Sequence, residues 1–164
     1  MERILRFSRA MPFDPTNRRM SSDGVRIWRG PRDGDGLEDE PEQDTRSLAL
    51  TEVDFGKVLF EHCLEGWEEA IRGEDKLARH LKTGRVRLDA QIGQYLLEEK
   101  GQATLKWLYD NIGIDWFELP GTVLRHRNSS RFLFCLHRTK DGWDSDYSFL
   151  DGVRQRQDVS AMYL

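Results

Sequence analysis

Phe55, Val58, Leu59, His62, Cys63, Gly66, Trp67, Ala70 and Ile71 recur at the spacing of one helix face. The preceding Leu50-Thr51-Glu52-Val53-Asp54-Phe55 predicts the start of that helix. Thr51 serves as its N-cap, acids fill its first turn, and Leu50 and Phe55 form a hydrophobic staple. Gly73 is expected to end it, unless the pattern continues through Leu77, Ala78 and Leu81 to Gly84. A second helix over Leu88–Lys100 turns Leu88, Ile92, Tyr95 and Leu96 inward and uses Gly101 as its C-terminal cap. A shorter helix follows near Ala103–Asp110.

Beyond Ile114 the pattern changes to strands: Ile114–Glu118, Thr122–Arg127, Arg131–Arg138, Tyr147–Leu150 and Val159–Leu164. Pro120-Gly121, Asn128-Ser129-Ser130 and Asp141-Gly142 supply turns between them. With a three-residue hairpin loop, Arg127 faces Arg131, Arg125 faces Leu133 and Val123 faces Cys135. Leu124, Phe132, Phe134 and Leu136 then share the core side, and the arginines share the other. Two further short strands, Glu2–Phe7 and Gly24–Arg29, predict an N-terminal arm or edge hairpin.

These elements predict an α+β fold. A helical middle, about residues 51–110, packs with an antiparallel sheet from the C-terminal strands, to which the N-terminal hairpin can add. The organisation expected is a basic arm over 1–32, an acidic linker over 33–50 and a core domain over 51–164.

Composition narrows the class without naming an activity. The chain has 164 residues, of which 33% are charged, with a net charge of −4. No apolar stretch approaches the ~18 residues of a membrane-spanning helix. No apolar segment follows Arg3, Arg6 and Arg9 as in a signal peptide. Cys63 and Cys135 are expected as free thiols in a cytoplasmic protein.

The distribution of charge says more than its total. Residues 1–32 carry a net +5, residues 33–54 a net −8, residues 55–120 a net −3 and residues 121–164 a net +2. Opposed blocks of this kind steer association with other macromolecules. They point to a non-catalytic binding protein: an adaptor, an inhibitor or immunity factor, or a small subunit of an assembly. Its partner is expected to be another protein or a macromolecular complex. The contact residues expected are Arg18, Arg19, Trp28, Asp35, Glu38, Asp39 and Glu40. Trp28, Trp116 and Trp143 fall in edge or loop contexts, whereas Trp67 and Trp107 fit buried helix faces.

The alternative is nucleic-acid binding through the hairpin arginines Arg125, Arg127, Arg131 and Arg138. A third reading is a small hydrolase using His126, Cys135 or His137, although the sequence supplies no orienting group for them. Neither a cofactor nor a metal is expected. Asp33–Asp44 resembles a calcium loop, but it places Glu38 and Asp44 where an EF-hand needs Gly and Glu. Adjacent His62 and Cys63 would diverge by about 100° on a helix, too far to share a zinc ion. Asp141, Asp144 and Asp146 read as an acidic turn.

Overall fold

The computed structural model describes residues 2–15, 25–27, 43–125 and 130–164. Among them the chain runs β1 (Ile4–Arg6), β2 (Arg26–Ile27), α1 (Thr45–Leu48), β3 (Glu52–Asp54), β4 (Val58–Glu61), β5 (Ile71–Arg72), α2 (Gly73–Lys82) and β6 (Val86–Arg87). It continues through α3 (Ala90–Leu97), α4 (Glu99–Ile112), β7 (Trp116–Arg125), β8 (Arg131–Thr139), β9 (Gly142–Phe149), β10 (Val153–Arg154) and β11 (Val159–Tyr163). The α+β fold is present. A seven-stranded mixed sheet in the order β4-β11-β7-β8-β9, with β2 on β7 and β6 on β11, forms its centre. The β11–β7 pairing is parallel and the other pairings are antiparallel.

The predicted helix over 51–71 does not form. β3 pairs with β1 and β4 pairs with β11, joined by a 3-10 turn at Phe55–Lys57 whose Gly56 amide donates to the Asp54 carboxylate. The helical spacing of Phe55 and Val58 is real, but the same residues bury as well from strands and a tight turn. Strand partners available elsewhere in the chain therefore override the local period. Gly73 opens a helix instead of ending one. Gly101 lies inside α4, because a Cβ there would come within 2.3 Å of the Leu96 backbone where α3 and α4 cross. α4 stops instead at Gly113, which takes the left-handed conformation with φ 74°.

Pro120-Gly121 is a bulge within one long strand, not a turn between two. The hairpin register also moves by two residues: Arg125 faces Arg131, and Val123 faces Leu133. An even shift leaves each side chain on its expected face. The N-terminal strands form, but they pair with β3 and β7 rather than with each other.

The N-terminal segment is tied to the body by Arg9. Its guanidinium makes two hydrogen bonds of 2.9 Å to the buried Asp89 carboxylate and reaches Gln91 and the carbonyls of Ser47 and Leu50. Asp89 also caps α3. Residues 44–50 are likewise part of the body, with Asp44 and Ser47 buried.

Both faces of the sheet are covered. Phe117, Leu119, Leu124, Phe132, Phe134 and Leu136 pack with Ile92, Leu96, Leu105 and Leu108 from α3 and α4. The alternate residues Val123 and Leu133 pack with Leu77 of α2 and Leu150. Alternate positions of one strand point to opposite faces, so α2 lies across the sheet from α3 and α4. No helix among the described residues is long and apolar enough to cross a membrane.

Candidate functional site

The face under α2 holds charged residues where a solvent-facing hairpin surface was expected. At its centre is Glu118 of β7, 1% exposed. Its Oε1 accepts from Lys76 Nζ at 2.8 Å and Ser160 Oγ at 2.8 Å. Its Oε2 accepts from Ser148 Oγ at 3.0 Å and Arg154 Nε at 3.2 Å. Burial alone would raise the Glu118 pKa, but the Lys76 and Arg154 charges outweigh it and hold the carboxyl below its usual range. The oxygens are saturated with donors, so the group acts as a clamp joining α2 to four strands.

The same packing accounts for the arginine candidates. Arg125 is buried at 8% exposure, and Arg131 donates to Glu74 of α2 at 2.9 Å. Arg138 is exposed, and its guanidinium lies 3.8 Å from the Tyr109 ring centroid. Arg125 therefore does not belong to a solvent-facing row, and the half-buried Arg131 is paired with α2. A polar-alternating strand suggests one wet face, and α2 covers that face with complementary charge.

The hydrolase candidates are not assembled. Cys135 is buried, its thiol donates to the Asp146 carbonyl, and burial pushes its pKa well up. No hydrogen bond among the described residues joins it to His137. A sulfur–imidazole contact among the described residues is elsewhere, with Cys63 Sγ 3.3 Å from His80 Nδ1. Burial and the nearby Lys76 hold His80 down to about 4. Burial also raises the Cys63 thiol, so the pair is neutral at neutral pH and not an activated nucleophile. Asp144 and Asp146 accept the backbone amides of Ser145 and Tyr147 along β9. Among the described residues, no group of three or more His, Cys, Asp or Glu side chains is placed to hold a metal ion.

The loop over 62–70, between β4 and β5, carries the least expected feature. The amide of Glu68 donates to the Glu65 carbonyl at 3.0 Å, closing a four-residue turn with Gly66 and Trp67 at its tip. The Glu68 carboxylate accepts the Glu65 amide at 2.8 Å and the Arg79 guanidinium through both oxygens. That guanidinium also donates to the Cys63 carbonyl at 2.8 Å. Arg79 holds the Glu68 carboxyl down to about 2. Cys63 itself has φ 60°, a conformation uncommon for a residue with a side chain. Trp67, at the tip of this braced turn, is 78% exposed.

Trp67 was expected on a buried helix face, and the absence of that helix is why it is outside. The sequence does hold a signal for the turn: Gly66, although at a helical position, is a poor helix former, and Glu65, Glu68 and Glu69 crowd the tryptophan. Trp107 and Trp143, by contrast, pack against the main core. Arg18, Arg19, Trp28, Asp35, Glu38, Asp39 and Glu40 lie outside the described residues, as do His126 and Arg127.

Surface clefts lie away from these groups. One of about 520 Å³ runs between Met11, Asp14 and residues Gln91, Gln94 and Tyr95 of α3. Another of about 430 Å³ lies between Lys57, Leu59 and Leu164. Neither is lined by a nucleophile with a base beside it. No protein-family model matches the chain, and searches of curated proteins and of solved structures find no match.

Proposed function

We propose that this chain is a non-catalytic protein that works by binding another protein, and that the Trp67 turn is its docking point. The observation that supports this reading is a tryptophan 78% exposed on a turn braced by Arg79. Tryptophan leads the residue types that dominate binding energy at protein interfaces. A turn held in place before binding spares the ordering cost that a loose loop would incur. The segregated charge along the chain, +5 over residues 1–32 against −8 over 33–54, adds long-range steering.

The hairpin reading of nucleic-acid binding draws less support, because Arg125 is buried and the half-buried Arg131 is paired with Glu74. The test is co-purification of tagged wild-type and Trp67→Ala protein from native cells. Truncating an anchor of this kind costs about 2–4 kcal/mol, or roughly 30- to 1,000-fold in affinity. The partner should be retained by wild type and lost with Trp67→Ala. Equal retention by a correctly folded variant would remove the proposal.

A further inference from the structure

We infer that the group received by the Trp67 turn is an arginine side chain of the partner protein, stacked on the indole and flanked by Glu65 and Glu69. This rests on the docking role proposed above and specifies the chemistry of the occupant. Residues 61–75 carry a net charge of −5. Within that stretch, Glu61 pairs with Arg85, Glu68 with Arg79 and Glu74 with Arg131. Glu65, Glu69 and Asp75 are exposed, and among the described residues no ion pair includes them. Glu65 and Glu69 stand two positions either side of Trp67.

An exposed indole presents a negative quadrupole face that attracts a cation, and tryptophan is the best of the aromatic rings at this. A guanidinium satisfies both halves of the site, because its plane stacks on the ring and its edge donates to carboxylates. A purely apolar occupant would desolvate Glu65 and Glu69 without replacing their hydrogen bonds. A nucleic-acid backbone would meet like charge. The Arg79 brace occupies Glu68 and also attracts Glu65 electrostatically, but among the described residues it forms no ion pair with Glu65 or Glu69.

The test uses a fluorescein-labelled Gly-Ser peptide containing two arginines and a twin in which citrulline replaces both. Binding to the full chain is followed by anisotropy. The arginine peptide should bind wild type at least about tenfold more tightly than the citrulline peptide, and weaken with added salt. Trp67→Ala and Glu65→Gln/Glu69→Gln should each reduce its affinity by about tenfold or more. Asp115→Asn/Asp141→Asn, which removes two exposed acids outside this loop, should leave it unchanged. Equal binding of the two peptides, or equal losses from the two double variants, would overturn the inference.

Repeating the co-purification with Glu65→Gln/Glu69→Gln separates this inference from the reading beneath it. Loss of the partner with Trp67→Ala alone keeps the docking role and removes the arginine. Retention with both variants removes both.

Discussion

Replacing Glu118 by glutamine takes away the negative charge that Lys76 and Arg154 share in the α2-covered face of the sheet. The carboxylate accepts four hydrogen bonds, from Lys76, Ser160, Ser148 and Arg154. Glutamine has one acceptor oxygen, and its amide nitrogen would face a donor. Lys76 and Glu118 are each 1% exposed, so water cannot compensate. Removing one partner of a buried pair costs about 3–5 kcal/mol, because an uncompensated charge is left behind. Against a total stability of roughly 5–15 kcal/mol, the variant should fold but sit near the limit. In urea, with a slope of about 2 kcal/mol per molar, the midpoint should fall by about 2 M. Lys76→Met should cost less, since Arg154 and two serines still serve the carboxylate. The double variant should lose at least about 1 kcal/mol less than the sum of the singles. A loss below about 1 kcal/mol for Glu118→Gln, or simple additivity, would refute the view of this network as one electrostatic unit.

Other parts of the fold give checks of their own. His80 is held down to about 4, against about 6.5 in an unfolded chain. Between those values the unfolded state binds a proton that the folded state refuses. Stability should therefore be flat above about pH 7 and fall on acidification, by about 3 kcal/mol near pH 4. Denaturation midpoints across pH measure this, and His80→Gln should flatten the slope. Gly93→Ala should destabilise by about 1–3 kcal/mol despite better helix propensity, because the new methyl would lie 2.3 Å from Leu119 Cδ1 and 2.5 Å from Phe134 Cε1. Thermal melting decides its sign. Arg9→Met, which strands the buried Asp89 carboxylate, should cost about 2–4 kcal/mol and speed hydrogen exchange in residues 4–12.

The strands of the last third were legible because local chemistry and tertiary packing agree there, whereas the helix break expected at Gly101 falls inside α4, which runs on to Gly113. Leu124, Phe132, Phe134 and Leu136 took the expected face even though the hairpin register moved by two residues, since an even shift preserves the alternation. The region over 51–71 was misread because its apolar spacing suits a helix, while β1 and β11 supply strand partners distant in sequence. The second sheet face was misread for a different reason. Glu118, Arg125 and Arg131 have the composition of a solvated surface, and α2, whose Lys76 meets Glu118 and whose Glu74 meets Arg131, covers it. Trp67 followed from the first error: once the helix is gone, Gly66-Trp67 is a turn tip.

The most direct measurement of the docking role is site-specific photocrosslinking in native cells, with benzoylphenylalanine placed at position 70, exposed beside the intact Trp67 turn, in one protein and at position 112 in another. Ile112 is also exposed, at 45%, but ends α4 instead of flanking a braced turn. A discrete higher-mass adduct is expected from position 70, absent from position 112 and suppressed by Trp67→Ala and by Glu65→Gln/Glu69→Gln. No adduct at position 70, or the same adducts at both positions, would overturn the docking role.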